Sequence, residues 1–419
     1  LEITSARVED FTIRFSKATI KYVRFWWQKI NDLLYPSVKV VTKKSQEQLG
    51  DYLIELYKTF ERLPFVYKKL FDLEGINELR FYYKRENSIM EFNSAYQNWL
   101  NGSGQTLSVI GEKGSGRSFF VNKIIHEKSD FCPVTFIKTD KTIYNESGLL
   151  ALLNASLGSH ATSTDELITF LSKKEKSCIV IDSLERLFLR SVDGFEAVEQ
   201  LLLLINSTSA NIFWVVISGR YNWTYLDKIL KLSMNFSSEL EMDKLSGSQI
   251  KEILLKRHKL SGFQIRFEPD SQIKQMRAYK KLQGNEPERQ QFLENLFFAA
   301  INEVSQGNLR IAMIQWLRSI KKVDELVIEI RVIEDMNIQL PMMLQDSEYF
   351  SLSNLVLHSK LSAAHHSKIF NESLMDSKLI LSRLEMMNLI ELDDEGMYQI
   401  NVFAFRPVIT ALKRKNILH

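Results

Sequence analysis

The sequence predicts an α/β protein: a parallel sheet covered on both faces by helices, with a helical arm before it and largely helical segments after it. Three observations predict this. The apolar runs TLSVIG (106–111), SCIVID (177–182) and NIFWVVISG (211–219) are separated by helical patterns. Near-continuous apolar strands of that kind belong to a sheet buried on both sides. The first run stops at a glycine-rich loop, VIGEKGSGRS (109–118), and the helical stretch SFFVNKIIHEK follows it. The C-terminal stretch reads as three helices and then a hairpin, LIELDDEGMYQINV, turned through residues 394–396.

The 419 residues suffice for two or three domains. Lys and Arg number 54 against 51 Asp and Glu, a net charge of +3, so no global field favours nucleic acid. Cys132 and Cys178 lie far apart in strand-like contexts and read as buried thiols rather than a staple or a metal site, which suits a reducing compartment. No run of eighteen apolar residues predicts a membrane span. Within residues 1–45, Phe11, Phe15, Tyr22, Phe25, Trp26 and Trp27 interleave with Arg14, Lys17, Lys21, Arg24 and Lys29. A helix there carries a wide apolar face and a cationic one, suited either to packing on the next domain or to lying on a membrane surface.

The stretch SQEQLGDYLIELYKTFERL is a second helix, with Leu49, Leu53, Leu56 and Phe60 at helical spacing and Pro64 ending or kinking it. Residues 65–85 read as a connector, and ENSIMEFNSAYQNWL as a helix ahead of the loop. Beyond it, VTFIKTD is a second strand, TDELITFLSKKE a helix opened at Thr164, and GFEAVEQLLLLINST a helix before the run at 211–219. After FSSELEMDKLS the chain turns helical to about residue 320, and DELVIEIRVIEDM adds a strand or helix edge. The expected domains are 1–74, a basic and aromatic helical region; 75–240, the α/β core; 241–335, a helical lid; and 336–419, three helices and a hairpin forming a winged helix.

The loop has the frame of a phosphate-binding loop: Gly111, Glu112, Lys113, Gly114, Ser115, Gly116, Arg117, Ser118. Such a loop needs a strand that stops, glycines that let the backbone curl around an anion, and a helix N-terminus facing it. Ser118 is placed to ligate Mg²⁺. Arg117 stands where these loops carry lysine; its guanidinium keeps the charge but is bulkier and donates in a plane. On the next apolar run, Asp182 sits at the C-terminal end, where a carboxylate reaches a metal shell. Ser183 occupies the place of a second acid. Two roles are open to Glu185: polarising a water if the chain bends to bring it in, or capping the following helix. Ser218 and Arg220 at the tip of the third run are candidates for sensing a γ-phosphate. Arg310, in SQGNLRIAMIQWL, can reach back to a nucleotide from a separate helical domain.

Together these residues resemble the AAA+ ATPases, and among them the group with a C-terminal winged helix, similar to origin-recognition-type initiators and to STAND signalling ATPases. GEKGSGRS stands for Walker A, IVIDS for Walker B, VVISGR for the sensor-1 strand and GNLR for sensor 2. The resemblance spans roughly residues 75–419. It implies a P-loop NTPase core that binds ATP or ADP with Mg²⁺ held by Ser118 and Asp182, and Asp182, Glu185 and Ser218 as catalytic residues. It also implies that lid and winged helix move with nucleotide, and that a neighbour's arginine completes the site, with Arg186 and Arg190 as candidates. Arg117 and Ser183 depart from the pattern, so weak or slow hydrolysis is expected.

The function expected is therefore a cytoplasmic ATP-binding switch that controls protein assembly through protein partners or self-association, with residues 1–45 available to the cytoplasmic face of a membrane. A DNA-binding initiator or transposition-type ATPase is the first alternative. It is disfavoured because the wing carries Glu391, Asp393, Asp394 and Glu395, and SKLILSRLEMMNLIEL offers only Lys378 and Arg383 as cations. A nucleotide-free scaffold is the second. The seven histidines show no metal-ligand spacing, and His365–His366 fall on a helix or turn with no acidic partner.

Overall fold

The computed structural model describes residues 58–73, 83–127, 132–139, 141–282, 284–324, 326–332 and 344–418. Residues 1–45, and most of the helix expected at 45–63, lie outside them.

Before the sheet come α1 (Phe65–Leu70) and α2 (Glu86–Leu100). The core then alternates strand and helix: β1 (Thr106–Gly111), α3 (Arg117–Glu127), β2 (Val134–Lys138), α4 (Glu146–Leu157), α5 (Thr164–Ser172), β3 (Ser177–Asp182), α6 (Glu196–Thr208), β4 (Ile212–Gly219), α7 (Arg220–Leu230) and β5 (Ser238–Glu241). The sheet order is β2-β3-β4-β1-β5 and its pairings are parallel, with Thr106 beside Trp214 and Cys178 beside Phe213. The α/β class predicted from sequence is the observed one.

The alternation of side chains explains why both faces are covered. Leu107, Val109, Cys178, Val180, Phe213 and Val215 point to one side, where Phe92, Tyr96 and Trp99 of α2 and Phe120 and Ile124 of α3 bury them. Ile110, Ile179, Ile181, Trp214 and Val216 point to the other, against α4, α5 and α6. Because the strands are apolar on both sides, neither face can be left to water. Helix α5 begins at Thr164, as its sequence suggests, with Ser163 as its cap accepting from the Glu166 amide.

After the core, α8 (Gly247–Leu260), β6 (Gln264–Pro269), short helical turns at 271–281, α9 (Glu286–Ser305), α10 (Leu309–Arg318), β7 (Ile320–Val323) and β8 (Val327–Val332) follow. Strands β6, β8 and β7 form a second sheet in that order, where sequence led us to expect helices to residue 320 and a strand or helix edge only after it. The supposed connector at 65–85 contains α1, which Tyr67 and Phe71 anchor here. Trp316 stacks on Phe71 at 5.8 Å, and its indole N–H donates to the Tyr67 hydroxyl at 2.7 Å.

The C-terminal segment runs α11 (Asp346–His358), β9 (Lys360–Leu361), α12 (Ala363–Phe370), α13 (Leu374–Met386), β10 (Ile390–Leu392), β11 (Tyr398–Ile400) and α14 (Phe405–Arg414). The three helices and the hairpin are as expected. Strand β9, which pairs with β11, and α14 were not read from the sequence. The turn between β10 and β11 closes on Asp393, whose carbonyl accepts from the Gly396 amide.

Candidate nucleotide site

The loop between β1 and α3 curls because Gly114 and Gly116 adopt φ values of 85° and 87°, a backbone region that disfavours any side chain. A Cβ at Gly114 would also stand 2.6 Å from Cβ of Arg310, so the glycine is what lets α10 approach the loop. α3 starts at Arg117 and presents its N-terminal amides to the loop, the arrangement that favours an anion. Lys113, Arg117 and Arg310 add three cations around it. Burial first, and then the Arg310 charge, push the Lys113 ammonium down to about 8. Two buried polar atoms here, Ser115 Oγ and Arg117 Nη1, lack a hydrogen-bond partner. Buried donors are rarely left so, and both suit phosphate oxygens.

Ser118 Oγ donates to Asp182 Oδ1 at 3.0 Å, bringing together the two oxygens expected to share a Mg²⁺ shell. Burial, with the Glu185 carboxylate adding to it, raises the Asp182 carboxyl above its ordinary value, although the Ser118 hydrogen bond opposes the rise. A divalent cation would offset that penalty. The donor set, one exposed hydroxyl and one half-buried carboxylate, fits Mg²⁺.

Ser183 has φ 73°, and that left-handed step bends the chain after β3. Glu185 is thereby carried back into the site, buried, and is not the cap of a helix. Its carboxylate lies 3.8 Å from Arg117 Nη2, accepts from the Gly219 amide at 3.4 Å and from Ser359 Oγ at 3.4 Å. Ser218 is fully buried and turned inward, accepting from Asn222 Nδ2 at 2.9 Å. Arg220 pairs with Glu241 on β5. Both expected sensors at the strand tip thus have partners of their own, but Arg220 still lines the cavity with Gly219, Tyr221 and Asn222 beside Lys113, Arg117 and Glu185, whereas Ser218 does not.

Glu112 is the residue whose role sequence did not disclose. Its carboxylate accepts from the Tyr221 hydroxyl at 2.8 Å, Asn308 Nδ2 at 3.2 Å and Arg406 Nη2 at 3.0 Å. Burial alone would raise its pKa, but Arg406, Tyr221 and Asn308 outweigh burial and hold the carboxyl below its ordinary value. Asn308 also caps α10, accepting from the Arg310 and Ile311 amides. Arg406 donates further to the Ser305 carbonyl at 3.1 Å. Nothing in a lone arginine near the C-terminus signals this contact from sequence.

Arg186 and Arg190 do not face outward for a neighbour. Arg186 is buried and donates to the Lys360 carbonyl at 3.1 Å, and Arg190 lies over the Tyr225 ring. The His358 ring lies tilted against Phe188, centroids 4.4 Å apart, and its Nε2 faces the Arg190 amide. His366 sits on α12, as expected, but has Glu372 3.9 Å from its Nδ1, together with Ser351 and Ser377 as hydrogen-bond partners.

The C-terminal segment therefore covers the Lys113 and Arg117 side of the loop, while Gly116 and Ser118 stay exposed. Leu355, Ser359, Ile400 and Phe405 line the cavity from that side, and about 20 Å³ remains in it, the space of a water molecule. A separate polar cleft of about 580 Å³ opens between Tyr83–Asn87 and Asp243–Gln249. Arg85 joins that cleft to the loop by donating to the Ser115 carbonyl at 2.7 Å. Among the described residues no group of three His, Cys, Asp or Glu could hold a metal, and no helix is long and apolar enough to cross a membrane.

No protein-family model matches the chain, and no curated protein matches it in sequence. Among solved structures it is similar to ORC2 of Aeropyrum pernix, captured in ADPNP–ADP complexes, at 12 % identity and a TM-score of 0.38, over 83 % of this chain and 98 % of that one. It is similar to Cdc6p of Pyrobaculum aerophilum at 15 % identity and a TM-score of 0.37, over 84 % and 98 % of the two chains. RuvB of Thermotoga maritima, a Holliday junction branch migration motor, gives 14 % identity and a TM-score of 0.35, over 82 % and 99 %. The class of fold follows from the sheet order and the loop themselves.

Proposed function

We propose that this chain is an ATP- and Mg²⁺-binding switch of AAA+ type, in which a C-terminal winged helix covers the phosphate site and moves aside when nucleotide enters. The observation that carries this is the convergence on Glu112. One carboxylate of the phosphate loop joins the core through Tyr221, the lid through Asn308 and the C-terminal segment through Arg406. A phosphate reaching Lys113 and Arg117 would press on the C-terminal segment, because the cavity beside those two cations holds only about 20 Å³. Binding energy at the loop is then coupled to the position of residues 336–419.

In this proposal the nucleoside occupies the cleft between 83–87 and 243–249, and the phosphates lie on the loop with Lys113, Arg117 and Arg310 as cations. Mg²⁺ would be held by Ser118 and Asp182 and would neutralise charge on the phosphates. Glu185 would be the carboxylate that polarises an attacking water. Its ties to Arg117, Gly219 and Ser359 favour a holder or slow hydrolase over a motor. The switch would act in the cytoplasm through protein partners, and residues 1–45 are the part suited to a membrane surface, which liposome flotation with and without them would check.

Calorimetry of ATP and ADP with Mg²⁺ tests the site, on wild type, Arg117→Ala and Asp182→Ala. Charged hydrogen bonds to phosphate contribute about 1.5–3 kcal/mol, so Arg117→Ala should bind about ten- to a hundred-fold more weakly. Asp182→Ala should lose the Mg²⁺ dependence. No binding by wild type even at millimolar nucleotide would retire the switch and leave a nucleotide-free scaffold.

A further inference from the structure

Helix α13 packs its inner side, through Ser377, Leu381 and Leu384, against α11, α12 and β10. Its outer side is apolar and uncovered: Met375 is 70 % exposed, Leu379 65 % and Met386 77 %. With the exposed Ser382, these positions follow a four-three-four spacing along one stripe. That is the a/d repeat of a helix-pairing seam, with Met375 and Ser382 at d and Leu379 and Met386 at a. The positions opposite the seam are the buried ones, so the register is consistent all round the helix.

The flanking charges decide what pairs with it. Asp376 and Arg383 occupy the e positions, Lys378 and Glu385 the g positions. If two copies of α13 lie antiparallel about a two-fold axis, Leu379 faces Ser382 of the other copy and Met375 faces Met386. Large is then set against small, and flexible thioether against thioether. The same arrangement brings Lys378 beside Glu385 of the other copy, and Asp376 beside Arg383. Both flanks are opposite in sign. A parallel pairing would instead set Lys378 against Arg383 of the other copy, a repulsive contact. Arg383 is 45 % exposed while its Nε holds Glu348, so the guanidinium lies at the edge of the stripe rather than beneath it. DNA is the poorer occupant, since the stripe is apolar and Asp394 and Glu395 on the neighbouring turn are exposed acids.

We infer that the exposed face of α13 is a self-complementary docking surface that pairs two copies of this chain antiparallel through Met375, Leu379, Ser382 and Met386. Such a contact is isologous and closes at two, unlike a head-to-tail ring. One helix pair about 20 Å long buries less than a standard interface of about 1,200–2,000 Å², so the dimer is weak and concentration-dependent.

Sedimentation of the full chain across about two decades of concentration tests it. Wild type should move from monomer to dimer and stop there, and Met375→Glu and Leu379→Glu should each weaken the dimer about ten-fold or more. Lys378→Glu and Glu385→Lys should each weaken it by about three- to ten-fold, both contacts being doubled by symmetry, and the two combined should restore it. Unchanged melting curves separate loss of docking from loss of fold. A monomer at every concentration would overturn the inference. So would self-association that ignores Met375→Glu, or a charge-swapped double variant no tighter than its parents.

Discussion

Arg117 sits where a phosphate loop carries lysine, and its guanidinium is drawn toward Glu185 while one terminal nitrogen is left buried without a partner. The lysine of this loop is Lys113, four positions earlier, and its environment makes it sensitive to pH. Burial and the Arg310 charge hold its ammonium at about 8 rather than the ordinary 10.5. An anion on the loop favours the charged form and raises that value, so binding takes up a proton when the solution is near or above pH 8. Nucleotide affinity is therefore expected to fall as pH rises through 8, by up to about ten-fold per pH unit. Calorimetry at pH 8 in buffers of different ionisation heat should show proton uptake, and Lys113→Met should abolish it. Equal heats in all buffers would show that Lys113 does not meet the phosphates. The loop frame, the Ser118–Asp182 pair and the charge of Lys113 were legible in the sequence, because local spacing sets them. The inward turn of Ser218 was not, since it depends on Asn222 one helical turn further on. Nor was the return of Glu185, which depends on a left-handed Ser183 that no propensity scale favours.

Glu112 ties four pieces of structure together: the phosphate loop, helix α7 through Tyr221, the cap of α10 through Asn308, and α14 through Arg406. Removing one partner of such a low-exposure ion pair strands the other charge, at a cost of about 3 kcal/mol or more. Arg406→Ala should accordingly loosen α14 from the loop. Amide exchange across residues 405–414 is expected to speed up by about a hundred-fold, with β1, β3 and β4 unchanged. Glu112→Gln, which keeps an acceptor for Tyr221, should have a smaller effect. Equal protection of α14 in wild type and Arg406→Ala would mean that apolar packing by Phe405 and its neighbours holds the segment without the pair. At this scale the sequence was a good guide to the apolar strands β1, β3 and β4. It was a poor one to β5, β6 and β9. Those short strands carry polar residues and pair with partners far along the chain, so nothing local in their pattern marks them. Helix α1 was missed for a related reason: its six residues are anchored by Tyr67 and Phe71 against Trp316, a contact across most of the chain.

Across the whole molecule, the contact between core and C-terminal segment is the part of the architecture that composition and periodicity could not reveal, because it rests on single residues meeting at long range. His358 is the most sensitive of them. It is fully buried against Phe188. Burial first, and then the charges of His365, Arg186 and Arg190, push its imidazole down to about 3, against the partial support of a hydrogen bond at Glu185. A histidine held neutral when docked, but free to charge at about 6.5 when released, stabilises the docked state fully above pH 6.5. That stabilisation is lost progressively as pH falls from 6.5 toward 3, by as much as ten-fold in the docking equilibrium per pH unit. Glu112 adds to the loss only below the ordinary carboxylate range, since its carboxyl is held low. His366, pushed down to about 4 by burial, titrates in an overlapping window, but it lies within the C-terminal segment between Ser351 and Ser377. Its protonation strains that segment itself rather than its seat on the core. The two are separable by hydrogen exchange between pH 7 and pH 5. Protection of α14 and β9 should fall with acidification in wild type and less steeply in His358→Gln, where His365, also pushed down by burial and set against Tyr144, remains, whereas protection of α12 should follow pH in both. An unchanged pH dependence at α14 in His358→Gln would remove His358 as the group that links acidity to opening.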